Sequence, residues 1–292
     1  MKLTHLLPAI TLALATSVAH ADTVVVGGKN FTEQQIMAEM TSQLLQAKGY
    51  DVDMRAGMGS VVLRQAQENG QIDVCWEYTG TALITYNKIS EPMGPDETYA
   101  TVKKLDAEKG LVWLNASSAN NTYALGMRRT DAEERGIASI SDLAAAVNSG
   151  STFSLASTPE FAARPDGLKP LEVTYGFAFG RPNVRRMDAG LTYQALRDGQ
   201  VDVSVVFSTD GRIPAFDFVV LEDDKQFFPA YALTPVIRKA VLDSKPELAD
   251  LLNAVSAKLD DQTMAALNAS VDVDKISIRD AARGFLKDQG LI

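Results

Sequence analysis

The chain has 292 residues, with 28 Lys and Arg against 37 Asp and Glu, a net charge of −9 and 46% apolar residues. That acidity, without any basic run, is a poor match for DNA, RNA or an anionic membrane. Cys75 is the only cysteine, which excludes an intramolecular disulfide, and the only histidines are His5 and His20.

In chain order, the first 21 residues read as a signal peptide. Lys2 is the positive n-region, Leu6 to Val18 the apolar stretch, and Ala19-His20-Ala21 a small-x-small cleavage site. Cleavage is expected after Ala21, with no cysteine following it to carry a lipid. The product is a soluble, exported chain of 271 residues, placed most naturally in a periplasm, with 27 basic against 37 acidic residues. It contains no histidine, so His-dependent triads, imidazole acid/base chemistry and His-ligated metals leave the field. With no second apolar stretch near 20 residues, no membrane span is expected after processing.

Thr23 to Gly27 reads as a buried strand, broken by Gly27-Gly28. Gln34 to Lys48 carries Ile36, Met37, Met40, Leu44 and Leu45 at helical spacing, with Thr32 as a plausible N-cap and Gly49 as the stop. A strand at Tyr50 to Arg55 and a helix at Ser60 to Glu68 complete the start of a parallel α/β unit. Asp96 to Glu108 reads as a helix, Val112 to Leu114 as a strand, and Thr122 to Met127 as a strand leaving the first lobe. The second unit has a helix at Ile140 to Ala146, capped by Ser139 or Ser141, and strands at Phe153 to Ala156 and Phe218 to Leu221. Phe227 to Tyr231 brings the chain back, and Leu242 to Leu267 and Ile278 to Leu286 are helical. Two lobes, 22–124 plus 230–292 and 125–229, would be joined by crossings near 122–127 and 228–236, a hinge able to close on a ligand.

One phrase occurs twice, 129 positions apart. Residues 65–78 run through Asn69-Gly70-Gln71-Ile72-Asp73-Val74 to Tyr78, and 194–207 through Asp198-Gly199-Gln200-Val201-Asp202-Val203 to Phe207. Each copy is a helix end, a Gly turn and an apolar strand ending in an aromatic residue. Ligands of open α/β sheets sit outside the carboxyl ends of the strands. Tyr78 and Phe207 are therefore expected at corresponding positions on two walls of one cleft.

Val26-Gly27-Gly28-Lys29 lacks the spacing of either a phosphate loop or a dinucleotide fingerprint, so it is read as a close approach of backbone to a small ligand. Cys75, inside the apolar run Ile72 to Trp76, is read as a buried inert thiol. Asp73, Asp202 and Asp210 lie nearest the expected mouths, and capping or turn roles suit them better than acid catalysis. A hydrolase would want a Gly-x-Ser-x-Gly elbow and a histidine, and the processed chain has neither.

Five runs of residues carry a family resemblance: 28–34 (Gly-Lys-Asn-Phe-Thr-Glu-Gln), 77–81 (Glu-Tyr-Thr-Gly-Thr), Asn121-Thr122-Tyr123, 208–212 (Ser-Thr-Asp-Gly-Arg) and Phe228-Pro229-Ala230-Tyr231. In this order they resemble the osmoprotectant-binding proteins that serve ABC importers of glycine betaine, choline and carnitine. The resemblance implies an α/β, two-lobed periplasmic-binding-protein fold of type II that closes on a quaternary ammonium compound. It implies an aromatic cage of Tyr78, Tyr123, Phe207 and Tyr231, with Phe207 standing where many members have Tyr. It also implies a carboxylate end of Lys29, Thr81, Asn121 and Arg164.

A trimethylammonium group has no N–H to donate, so ring faces must hold it, at about 0.5–2 kcal/mol each once desolvated. Arg164 suits a carboxylate through two parallel N–H···O bonds. The expected protein is a monomeric, cofactor-free and metal-free binding protein, not an enzyme, that passes its ligand to an ABC permease. Carnitine, choline, a histidine-derived betaine or an amino acid is the alternative ligand, and an exported α/β hydrolase the alternative class.

Overall fold

A computed structural model describes residues 23–292. The expected signal peptide, its cleavage site and both histidines lie outside the described residues. Among the described residues, ten strands form two five-stranded sheets. They are β1 (Val24–Lys29), β2 (Val52–Met58), β3 (Val74–Tyr78), β4 (Leu111–Trp113), β5 (Tyr123–Arg128), β6 (Leu155–Ser157), β7 (Val184–Arg186), β8 (Val203–Phe207), β9 (Phe218–Val220) and β10 (Leu233–Arg238). The first sheet runs β2-β1-β3-β10-β4 and the second β7-β6-β8-β5-β9. In each, three strands are parallel and the fourth in order is antiparallel to both its neighbours.

The repeated phrase is the centre of both sheets. β3 and β8 are its strands, and their registers correspond: Val26 faces Val74 in one sheet, Leu155 faces Val203 in the other. These partners are themselves 129 positions apart. The two acids of the phrase do the same job. Asp73 Oδ2 accepts from the Val25 N–H at 2.9 Å, and Asp202 Oδ2 accepts from the Ser154 N–H at 2.8 Å. Each fixes the start of its strand to the neighbouring parallel strand, the structural role expected of them.

Core packing follows from burial on both faces of these central strands. All five residues of β3 are buried, Cys75 included, and burial pushes its thiol up to about 12. The helix Thr32–Ala47 lays Ile36, Met37, Met40 and Leu44 against Trp76, whose indole N–H donates to Thr41 Oγ1 at 2.9 Å. Ser60–Glu68 is helical as expected. Ser139 caps Ile140–Asn148 in a reciprocal box with Asp142.

Three expectations need correcting. Thr32 is not an N-cap: the helix begins one residue after Phe31, and the Thr32 hydroxyl donates instead to Asp272 Oδ1 at 2.9 Å. The helical tail is not continuous from 242 to 267. It is divided into Lys239–Ser244, Leu248–Ser256 and Asp261–Asp272, because Pro246 interrupts the first break and Asp260 caps a new start at the second. The crossings are also shorter than expected. β5 lies wholly in the second sheet and β10 wholly in the first, so the chain passes between sheets around the isolated antiparallel bridge Asn120–Ala232. No helix among the described residues is long and apolar enough to cross a membrane.

Arg164 follows the short helix Pro159–Ala163 and precedes Leu168–Tyr175. The turn closes so tightly that a Cβ on Gly167 would lie 1.9 Å from the Phe161 carbonyl oxygen. Gly167→Ala is therefore expected to lower unfolding free energy by about 3 kcal/mol, measured by urea denaturation. An unchanged midpoint would show that the turn yields at no penalty.

Candidate functional site

A cavity of about 280 Å³ opens at the carboxyl ends of β1, β3 and β8 and just beyond β6, between the two sheets. All eight residues assigned from the sequence line it: Lys29, Tyr78, Thr81, Asn121, Tyr123, Arg164, Phe207 and Tyr231. The repeat organises the wall beyond its own limits. Lys29 and Thr158, Phe31 and Glu160, Ser60 and Ala189, and Tyr78 and Phe207 all line the cavity, each pair 129 positions apart. Equivalent positions thus carry unlike chemistry, giving a nearly two-fold scaffold an asymmetric site.

The rings form an unbroken arc. Phe31, not assigned from the sequence, sits between the two repeat aromatics, stacked 6.2 Å from Tyr78 and 5.1 Å from Phe207 between ring centroids. Tyr123 continues the arc at 5.2 Å from Phe207 and meets Tyr231 edge-on at 5.8 Å. Tyr78 and Phe207 therefore do not oppose each other directly; Phe31 fills the space between them. Its side chain is placed by the helix start at Thr32, which turns residue 31 inward as the N-cap.

Charged groups occupy the rest of the wall, and most are already paired. Lys29 Nζ lies 2.5 Å from Glu77 Oε1 and 4.9 Å from the Tyr78 ring centroid. The Nε and Nη2 atoms of Arg164 donate to the two oxygens of Asp166 at 2.7 and 2.5 Å. The same guanidinium sits 5.1 Å from the Tyr123 ring and reaches Thr81 Oγ1 at 3.4 Å. Asp166 also accepts from the Tyr231 hydroxyl. The fork of Arg164 that suits a ligand carboxylate is thus held by Asp166, so a ligand meets the remaining N–H groups.

Glu160, also unassigned from the sequence, bridges the sheets. Its Oε1 accepts from the Ser60 hydroxyl at 2.6 Å, and its Oε2 faces the Ser60 N–H at 3.4 Å, at the start of the helix Ser60–Glu68. Burial opposes its charge, but Lys29, Ser60 and Arg164 outweigh that and hold its carboxyl below the usual range. Extending the repeat to positions 29–31 and 158–160 would have found both Phe31 and Glu160. Asn121 donates from Nδ2 to Glu33 Oε1 at 2.9 Å, which commits one of its amide hydrogens. Asp73, Asp202 and Asp210 do not line this cavity. Asp210 instead forms an ion pair with Arg212 at 2.5 Å. No group of metal-ligating side chains occurs among the described residues.

The family model described as the substrate binding domain of ABC-type glycine betaine transport system matches residues 22–288. The chain is 47% identical over 284 residues to a glycine-betaine-binding protein of Pseudomonas aeruginosa, covering 95% of this chain and 91% of that one. It is 34% identical over 271 residues to an ergothioneine transport permease/ergothioneine binding protein of Helicobacter pylori, covering 92% of this chain and 48% of that one. The solved structure of a glycine betaine/carnitine/choline ABC transporter protein is similar at a TM-score of 0.74 and 28% identity, covering 92% of this chain and 99% of that one. The chain belongs to this family of ABC-transporter substrate-binding domains, which are not enzymes, and has the two-lobed type II fold of periplasmic binding proteins.

Proposed function

We propose that this protein is exported to the periplasm, captures glycine betaine as a monomer between its lobes, and delivers it to an ABC permease. The lobes are 23–122 plus 230–292 and 123–229, so that β5 stays whole in the second. The observation that carries the reading is the arc of five rings beside a wall bearing Lys29, Ser60, Thr81 and Arg164 in one cavity. Ring faces attract a methylated ammonium that offers no hydrogen-bond donor, at roughly 0.5–2 kcal/mol per ring. Donors at the other wall receive the carboxylate. After association costs, such a cage supports binding near micromolar, about −8 kcal/mol.

Bonds between the lobes support closure around the ligand. Ser60 reaches Glu160, Thr81 accepts from Arg164, and the Tyr231 hydroxyl donates to Asp166. Each joins residues on opposite sides of the cavity, so these bonds belong to the closed form, which a ligand touching both lobes favours through its own contacts. A histidine-derived betaine is the second reading, favoured by the similarity to the Helicobacter pylori ergothioneine binding protein.

Calorimetry against glycine betaine, carnitine, choline, ergothioneine and unmethylated amino acids tests the assignment. Glycine betaine is expected to bind at micromolar Kd or better, and amino acids with a free ammonium at least tenfold more weakly. Tighter binding of an unmethylated amino acid than of every quaternary ammonium compound would overturn it.

A further inference from the structure

Seven carboxylates are buried among the described residues, and six of them form an ion pair. Around the cavity these are Glu77 with Lys29, Asp166 with Arg164 and Asp210 with Arg212. Glu33 is the exception. Its Oε1 accepts from the Tyr78 hydroxyl at 2.7 Å and from Asn121 Nδ2 at 2.9 Å, and its Oε2 from the Thr209 hydroxyl at 2.6 Å and Asn268 Nδ2 at 3.0 Å. All four partners are neutral. A buried carboxylate without a cation is costly even when well hydrogen-bonded. Burial, the larger effect, pushes the Glu33 carboxyl up from its usual value, while all four donors hydrogen-bond and favour its ionised form, the form a counter-charge requires.

Two of those donors, Tyr78 and Asn121, line the ligand cavity. The carboxylate therefore lies one hydrogen bond behind the aromatic wall. We propose that Glu33 is the counter-charge for the ligand's quaternary ammonium, a buried carboxylate without a cation that the bound ligand balances from the other side of the aromatic wall. The inference rests on the function proposed above and adds a charge to a site otherwise described by ring faces. Coulomb attraction through a water-poor wall is stronger than across the same separation in bulk water. The hydrogen bond from Tyr78 adds a second route: a phenol donating to a carboxylate has a more electron-rich ring, and so a more attractive face. The six paired acids cannot play this part, because each is already neutralised where it stands.

The test separates charge from shape. Glycine betaine and 3,3-dimethylbutyrate share a carboxylate and a trimethyl head, but only the first is cationic there. Calorimetry on wild type is expected to show at least a tenfold preference for glycine betaine. In Glu33→Gln, which keeps the side-chain shape, glycine betaine affinity should fall tenfold or more while 3,3-dimethylbutyrate changes less than about threefold, shrinking the ratio. Equal losses for both ligands would show Glu33 to be a structural tie between segments and overturn the proposal. Wild type that binds neither ligand would overturn the betaine assignment itself. Tyr78→Phe provides a second reading should Glu33→Gln fail to fold. It keeps ring and charge but cuts their hydrogen bond, and should reduce the ratio by about threefold. An unreduced ratio there would count against the coupling of Glu33 to the cage.

Discussion

Tyr231→Ala and Tyr78→Ala are each expected to raise the Kd for glycine betaine at least tenfold, about 1.4 kcal/mol or more. Tyr231 closes one end of the ring arc, edge-on to Tyr123 at 5.8 Å, and Tyr78 closes the other beside Phe31. Truncating either removes a face that no neighbouring ring replaces. The hydroxyls act differently. That of Tyr231 donates to buried Asp166, whose other partner is Arg164, so Tyr231→Phe leaves a carboxylate one donor short. The expected result is a stability loss of about 1–3 kcal/mol and, because the lost bond joins the lobes in the closed form, a rise in Kd smaller than that of Tyr231→Ala. Calorimetry for affinity and denaturant unfolding for stability, on variants with native circular dichroism, separate the two effects. If both Ala variants bind glycine betaine as tightly as wild type, the aromatic cage is wrong.

Arg164→Ala should show the largest combined effect. The guanidinium is 3% exposed and is the cationic partner of Asp166. Removing it strands a buried charge, a loss expected to reach about 3–5 kcal/mol of stability. It also removes the donors facing the carboxylate end of the cavity, so glycine betaine should weaken at least tenfold more than choline, which has no carboxylate. Arg164→Ala combined with Asp166→Ala distinguishes these roles. Deleting both charges should recover much of the stability, because no buried acid is left unpaired, without recovering the preference for glycine betaine. Equal losses of choline and glycine betaine in the double variant would confine Arg164 to a structural role.

Much of the site was legible because its residues recur in phrases. The repeat at 65–78 and 194–207 marked Tyr78 and Phe207 as strand-end aromatics, and its acids as strand anchors, before any neighbour was known. The family resemblance added Tyr123, Tyr231 and the polar end. Phe31 and Glu160 escaped for a physical reason. Neither lies on a strand of alternating pattern; one is a helix N-cap and the other sits in a five-residue helix, and such short segments carry no periodicity to read. The break at Pro246 and the false cap at Thr32 show the same limit at element ends, where a single hydrogen bond to a distant residue such as Asp272 decides the outcome.

The sequence by itself determined the two α/β units, their central buried strands and the aromatic chemistry at their ends, because burial on both faces writes continuous apolar runs into β3 and β8. Only the tertiary structure decided how charges are shared. That Asp166 holds the fork of Arg164, that Glu77 neutralises Lys29, and that Glu33 has four neutral donors from four separate segments are facts of pairing between residues 2 to 235 positions apart. Charge pairing depends on side-chain geometry at a few ångströms, within one tight turn for Arg164 and Asp166 and between distant segments for the rest, and no alternating or helical pattern encodes it.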